Sequence, residues 1–190
     1  MSFSQKWRAK IIIKSYKKWN IYTQRVLDVG CGNGVVSQVL KDKFNFNLIG
    51  IDIIDYRKVN IPFKLMKKAN VIPFEDLSFD LVMFNDVLHH MKDIESLLIE
   101  GARVAKCILI FEDKESFLLK LIDSVLNLFY SPSMPCPSNF KTYKEWCLLF
   151  DKLGFVYSIG EISYHFLYPL RHMVFMLSKN EKNRRGESKP

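Results

Sequence analysis

Short apolar runs alternate with longer stretches of helical periodicity along most of this chain. Residues 25–29, 47–51 and 80–84 read as strands. Residues 107–111 are nearly all apolar, as expected of a strand covered on both faces. A weaker run at 63–67 is diluted by lysines and predicts an edge strand. Between these runs, 35–44 follows a glycine-rich turn as a helix. In 94–104, apolar residues at 94, 97, 98, 102 and 104 mark one helical face. A further apolar helical stretch covers 117–130. Three prolines then forbid a helix at 131–137. Residues 142–153 predict a helix with its own punctuation: Thr142 as N-cap, Glu145 three residues later, and Gly154 at the end. Strands at 155–162 and 172–178 close the pattern. Their short connection predicts an antiparallel pairing within a mostly parallel sheet flanked by helices.

Composition sets bounds on this picture. A chain of 190 residues with 48% apolar content and 15 Phe has the material for one well-filled domain. No stretch reaches membrane-spanning length free of charge, and the start lacks the apolar segment of a signal peptide. Cys31, Cys107, Cys136 and Cys147 form no C-x-x-C pair. Neither a metal site nor a disulfide framework is expected, and a reduced, cytoplasmic setting is.

Charge changes the picture at the ends. Of the net +8, residues 1–25 carry +7 and residues 179–190 carry +3, so the middle is slightly acidic at −2. The expected organisation is a basic amphipathic helix at 1–22, the domain proper at 23–178, and a disordered basic tail at 179–190. The basic helix either packs over the sheet with a solvated lysine face or makes a peripheral contact with an anionic membrane. The acidic middle argues against RNA, because nucleic-acid enzymes spread positive charge over their binding face.

The candidate chemistry lies where the first strand ends. Asp28-Val29-Gly30-Cys31-Gly32-Asn33-Gly34 is a glycine turn between strand and helix, and the second strand ends in Asp52. Glycines allow close backbone approach, and an acid at that place accepts hydrogen bonds from two ribose hydroxyls. The dinucleotide spacing G-x-G-x-x-G fails, because its third glycine position is Val35. The turn resembles the first motif of the class I S-adenosylmethionine-dependent methyltransferases.

A second block extends the resemblance. Ile72-Pro73-Phe74 and Ser78-Phe79-Asp80-Leu81-Val82, with Leu88-His89-His90, look like the subfamily called methyltransferase type 11, which acts mostly on small molecules. The resemblance implies a Rossmann-like three-layer α/β sandwich with a seven-stranded, mostly parallel sheet whose last strand is antiparallel. It implies S-adenosylmethionine as cofactor, with Gly30 and Gly32 beside its methionine part, Asp52 at the ribose, and Cys31 and Ile53 also among the cofactor-binding residues. Asn85 would lie near the sulfonium. Asp28 either orders the turn and its amine contacts or only braces it. His89 and His90 would open the next helix at the mouth of the substrate pocket, as catalytic residues or as cap and packing residues. His90 is the first candidate base, with Glu112, Asp113 and His165 behind it.

One departure stands out. The family's adenine-reading acid is missing from Lys67-Lys68-Ala69-Asn70-Val71, and Asn70 or the backbone at Ala69 takes its place. The motifs of DNA-base amine and protein arginine methylation are also absent after the fourth strand. The expected partner is a small apolar or aromatic molecule methylated on O, N or C. The alternatives are a non-catalytic module docking through its basic helix and an RNA-directed enzyme.

Overall fold

A computed structural model describes residues 3–19, 21, 25–113, 139–160 and 172–180. The helix expected at 117–130, the proline link, His165, residues 161–162 and the tail beyond 180 lie outside the described residues. Seven strands form one sheet: β1 (Arg25–Val29), β2 (Asn47–Asp52), β3 (Phe63–Leu65), β4 (Phe79–Asn85), β5 (Ala105–Asp113), β6 (Phe155–Gly160) and β7 (His172–Lys179). Their spatial order is β3-β2-β1-β4-β5-β7-β6. β7 alone runs against the others, inserted antiparallel between β5 and β6. β3 is the edge strand the lysines predicted, two residues shorter than its apolar run.

The period-2 alternation of the strands sorts the core into two layers. Leu27, Val29, Val82, Phe84, Ile108 and Ile110 face α3 (Ile94–Val104) and α4 (Tyr143–Lys152). Val26, Leu48, Leu81, Met83, Leu109 and Phe111 face α1 (Phe3–Lys18) and α2 (Val35–Phe44). α1 lays Ile11, Ile12 and Tyr16 into this second layer while Lys10, Lys14 and Lys17 stay exposed. Its apolar face is therefore turned to the sheet. Among the described residues, no helix is long and apolar enough to cross a membrane.

Helix ends follow their sequence signals. Thr142 Oγ1 accepts the Glu145 N–H at 3.3 Å, and Glu145 Oε2 accepts the Thr142 N–H at 2.7 Å, a complete capping box. Asp93 caps α3 by accepting the Ser96 N–H at 3.0 Å. That cap corrects one expectation. His89 and His90 do not open α3; they belong to a separate 3-10 turn, Leu88–His90, because Asp93 rather than Val87 offers the carboxylate that starts the helix.

Candidate functional site

The site is assembled at the carboxyl ends of β1, β2, β4 and β5. β1 ends at Val29, and the chain reverses through Gly30, whose N–H donates to Ile51 O at 2.8 Å. Cys31 N–H donates to the same oxygen at 3.1 Å. Two of the turn's glycines serve different needs. At Gly30, φ is +70° and a Cβ would sit 2.2 Å from Val87 Cγ2, so backbone and packing both exclude a side chain. At Gly32, φ is +53° and a Cβ would meet nothing within 4 Å. The first glycine closes the turn against Val87. The second keeps an opening.

Asp52 borders that opening. Its Oδ2 accepts the Gly32 N–H at 2.8 Å and its Oδ1 the Ile53 N–H at 2.7 Å. Desolvation raises its carboxyl above the ordinary aspartate range, against the lowering pull of these N–H donors. A raised folded-state pKa gives stability below the unfolded value that is lost as pH rises through the folded one. The free protein therefore takes up a proton on Asp52 at a higher pH than an ordinary aspartate does, whereas a ribose diol donating to it favours the carboxylate. Affinity for a ribose-bearing ligand is expected to fall on acidification earlier than an ordinary aspartate would dictate. Calorimetric titrations between about pH 7 and pH 4 check this.

Behind the turn runs a buried polar chain that sequence reasoning missed. Ser37 Oγ donates to Asp28 Oδ2 at 2.6 Å, Asn85 Nδ2 donates to Asp28 Oδ1 at 3.2 Å, and Tyr16 Oη donates to Asn85 Oδ1 at 2.7 Å. Asp28 is 2% exposed and Tyr16 fully buried. Burial, then the Asp28 charge, holds the Tyr16 phenol well above its usual range, so it stays a donor. α1 thus orients Asn85 from the face of the sheet that it covers. Tyr16→Phe removes that donor and is expected to destabilise the fold by about 1–2 kcal/mol, read from urea denaturation midpoints.

Beyond β4, Asp86 takes a left-handed backbone (φ 51°), and its N–H donates to Phe111 O at 2.7 Å. Glu112, 1% exposed, organises the 3-10 turn that follows. Its Oε1 accepts the N–H groups of Val87 (2.8 Å) and Leu88 (2.6 Å), and its Oε2 lies 2.6 Å from His89 Nδ1. His89 is buried, stacked on Phe140 with centroids 4.5 Å apart and against His90 at 3.9 Å. Glu112, read from sequence as a candidate base, is engaged by these three groups.

These elements enclose a cavity of about 330 Å³. The structure brings Asp28, Gly30, Cys31, Gly32, Asp52, Ile53, Asn85 and His90 together in its lining, with Tyr56 and Asp86. His89 lies behind His90, outside the lining. Asn70 is not brought there either: it is exposed and outside the lining. Cys31 faces the cavity as a thiol whose pKa burial pushes far up, which leaves it a poor nucleophile. Among the described lining residues are three carboxylates and no Lys or Arg.

Residues 27–107 match the family model described as a methyltransferase domain. Over 101 residues the chain is 31% identical to the ubiquinone biosynthesis O-methyltransferase of Hahella chejuensis, covering 44% of this chain and 39% of that protein. The chain spans less than half the length of the curated relatives it matches, 39–49%. Among solved structures, a Pyrococcus horikoshii protein superposes with a TM-score of 0.73 at 19% identity, covering 94% of this chain and 93% of that one. Magnesium protoporphyrin IX methyltransferase from Synechocystis, solved with bound SAH, superposes with a TM-score of 0.63 at 14% identity, covering 93% and 84%.

Proposed function

We propose that this chain, whose residues 27–107 belong to the methyltransferase domain family and whose fold is that of the class I S-adenosylmethionine-dependent methyltransferases, transfers a methyl group to a small aromatic or apolar acceptor. The observation that carries the proposal is the cavity at the glycine turn: acidic, free of Lys and Arg among its described lining, and open at Gly32. Three carboxylates suit a sulfonium nucleoside and repel the pyrophosphate of a dinucleotide. The volume is that of a small-molecule site.

The cofactor supplies a methyl group already activated on a sulfonium, so the protein's task is alignment and exclusion of water. Asp52 accepts the ribose hydroxyls, with Ile53 beside them. Gly30, Cys31 and Gly32 bring backbone within reach of the methionine part. Asp28 and Asn85, fixed by Ser37 and Tyr16, hold the amino group. His90, at the cavity wall, takes the acceptor's proton, and His89, fixed by Glu112, sets its position from behind. Adenine is read by the backbone and apolar groups near Ile53 and Tyr56, in place of Asn70. The relative's name, which gives an O-methyltransferase of ubiquinone biosynthesis, supports an aromatic hydroxyl acceptor.

The test is transfer of a radiolabelled methyl group from S-adenosylmethionine to a panel of phenols, quinols, small amines and short RNA. Phenols or quinols are the expected acceptors, with His90→Ala lowering the rate about 100-fold or more. Transfer to RNA alone, or to nothing on the panel by a protein that binds S-adenosylhomocysteine, would contradict this reading.

A further inference from the structure

Three metal-ligating side chains converge beside the cavity from parts of the chain far apart in sequence. Asp86 follows β4, Asp113 is the last residue of β5, and His172 is the first of β7. Because β7 is antiparallel, its start lies at the same end of the sheet as the carboxyl ends of β4 and β5. Asp113 and His172 are direct partners in the ladder. One donor atom from each of the three residues lies within 4.8 Å of the others.

The environment of these donors is as telling as their spacing. Asp86 Oδ1, Asp113 Oδ1 and His172 Nε2 are all shut off from solvent, and His172 is only 4% exposed. Nε2 lies 2.6 Å from Asp113 Oδ1, and the imidazole is stacked on Phe111 with centroids 4.4 Å apart. The ring is therefore held with one nitrogen facing the carboxylates. Two carboxylates in so small a desolvated space repel one another. A protonated imidazole balances one of them. A divalent cation with a neutral imidazole balances both.

We propose that Asp86, Asp113 and His172 form a site for one divalent cation. Two oxygens and one imidazole nitrogen make a donor set of intermediate hardness, suited to Mn²⁺, Fe²⁺ or Zn²⁺ more than to soft thiolate-seeking ions. Three protein ligands leave coordination positions open, the pattern of a site that also takes a substrate. Asp86 lines the cavity as well, as does His90, so the ion site borders the cavity wall at which the acceptor gives up its proton.

Resting on the methyl-transfer reading above, the site narrows the acceptor to a hydroxyl compound, best one with a second oxygen adjacent. The ion holds the acceptor oxygen and favours loss of its proton, which passes to His90. That oxygen then bonds to the methyl carbon, and the carbon–sulfur bond breaks with its electron pair kept by sulfur.

The test uses chelator-stripped full chain titrated with Mn²⁺, followed by calorimetry and by electron paramagnetic resonance of the free ion. One Mn²⁺ per chain is expected. Asp113→Asn and His172→Gln should each weaken it by more than ~10-fold while S-adenosylhomocysteine affinity is unchanged. Since a buried variant can fail to fold, paramagnetic broadening in the wild type gives a second reading: the His172 ring signals should vanish at substoichiometric Mn²⁺ while those of distant residues persist. No uptake by wild-type protein that binds S-adenosylhomocysteine, uptake equal in all three proteins, or broadening that spares His172 would each overturn the site. Mn²⁺ uptake without S-adenosylhomocysteine binding would instead contradict the methyl-transfer reading and leave the ion site standing.

Discussion

Asp52→Ala is expected to weaken S-adenosylhomocysteine binding on the order of 100- to 10,000-fold. The estimate follows from removing a charged acceptor from two ribose hydroxyls, each such bond being worth about 1.5–3 kcal/mol. A second effect runs in the same direction. Asp52 also accepts the N–H groups of Gly32 and Ile53, so alanine releases the loop that shapes the opening. Asp52→Asn separates the two contributions. The amide keeps one acceptor oxygen but not the charge, and an intermediate loss is expected. Isothermal calorimetry on the three proteins, with circular dichroism as the fold control, checks the series. Equal affinity in wild type and Asp52→Ala would remove Asp52 from the site.

The largest effect on stability is expected at Glu112. Its carboxylate serves the Val87 and Leu88 N–H groups and His89 Nδ1 in a setting only 1% exposed to solvent. Glu112→Ala deprives all three of this acceptor at once, and a loss of about 3–5 kcal/mol is expected. Glu112→Gln retains an oxygen for the backbone donors and changes only the partner of His89. A milder loss of about 1–2 kcal/mol is expected there. The turn carries Val87, which closes on Gly30, and His90, which lines the cavity. Glu112→Gln should therefore lower methyl transfer more than its small stability loss explains. Guanidinium unfolding of both variants, paired with initial rates, checks this. Alanine as stable as glutamine would show that the buried carboxylate does not organise the turn.

Most of the fold was legible in the chain because its signals are local. Apolar runs of five or more residues located β1, β2, β4 and β5 within one or two residues. Thr142, Glu145 and Gly154 located both ends of α4, and the lysines of 63–67 marked an edge strand. The floor of the site was legible for the same reason. A glycine turn between a strand and a helix, with an acid ending the next strand, is contiguous in sequence.

What escaped the sequence depends on contacts between distant residues. Tyr16 reaches Asn85 across 69 positions, and nothing in a lysine-rich helix distinguishes that tyrosine from a packing residue. Glu112 looked like a candidate base at a strand end; its backbone partners lie about 25 residues earlier and are visible only in the fold. His89 and His90 are adjacent in sequence, yet one turns into the core and the other lines the cavity. Asn70 shows the converse. It sits where an adenine-reading acid was expected, but it is exposed and outside the cavity lining. No metal site was expected, since Asp86, Asp113 and His172 share no motif and meet only because β7 runs backwards beside β5.

The central claim is that the acidic cavity at the glycine turn takes S-adenosylmethionine. Its most direct test is calorimetric titration of the wild-type chain with S-adenosylhomocysteine, the spent cofactor, with NAD as the competing nucleotide. One equivalent of S-adenosylhomocysteine bound and no heat from NAD is the predicted result. NAD binding, or a folded protein that takes up neither, would contradict the account.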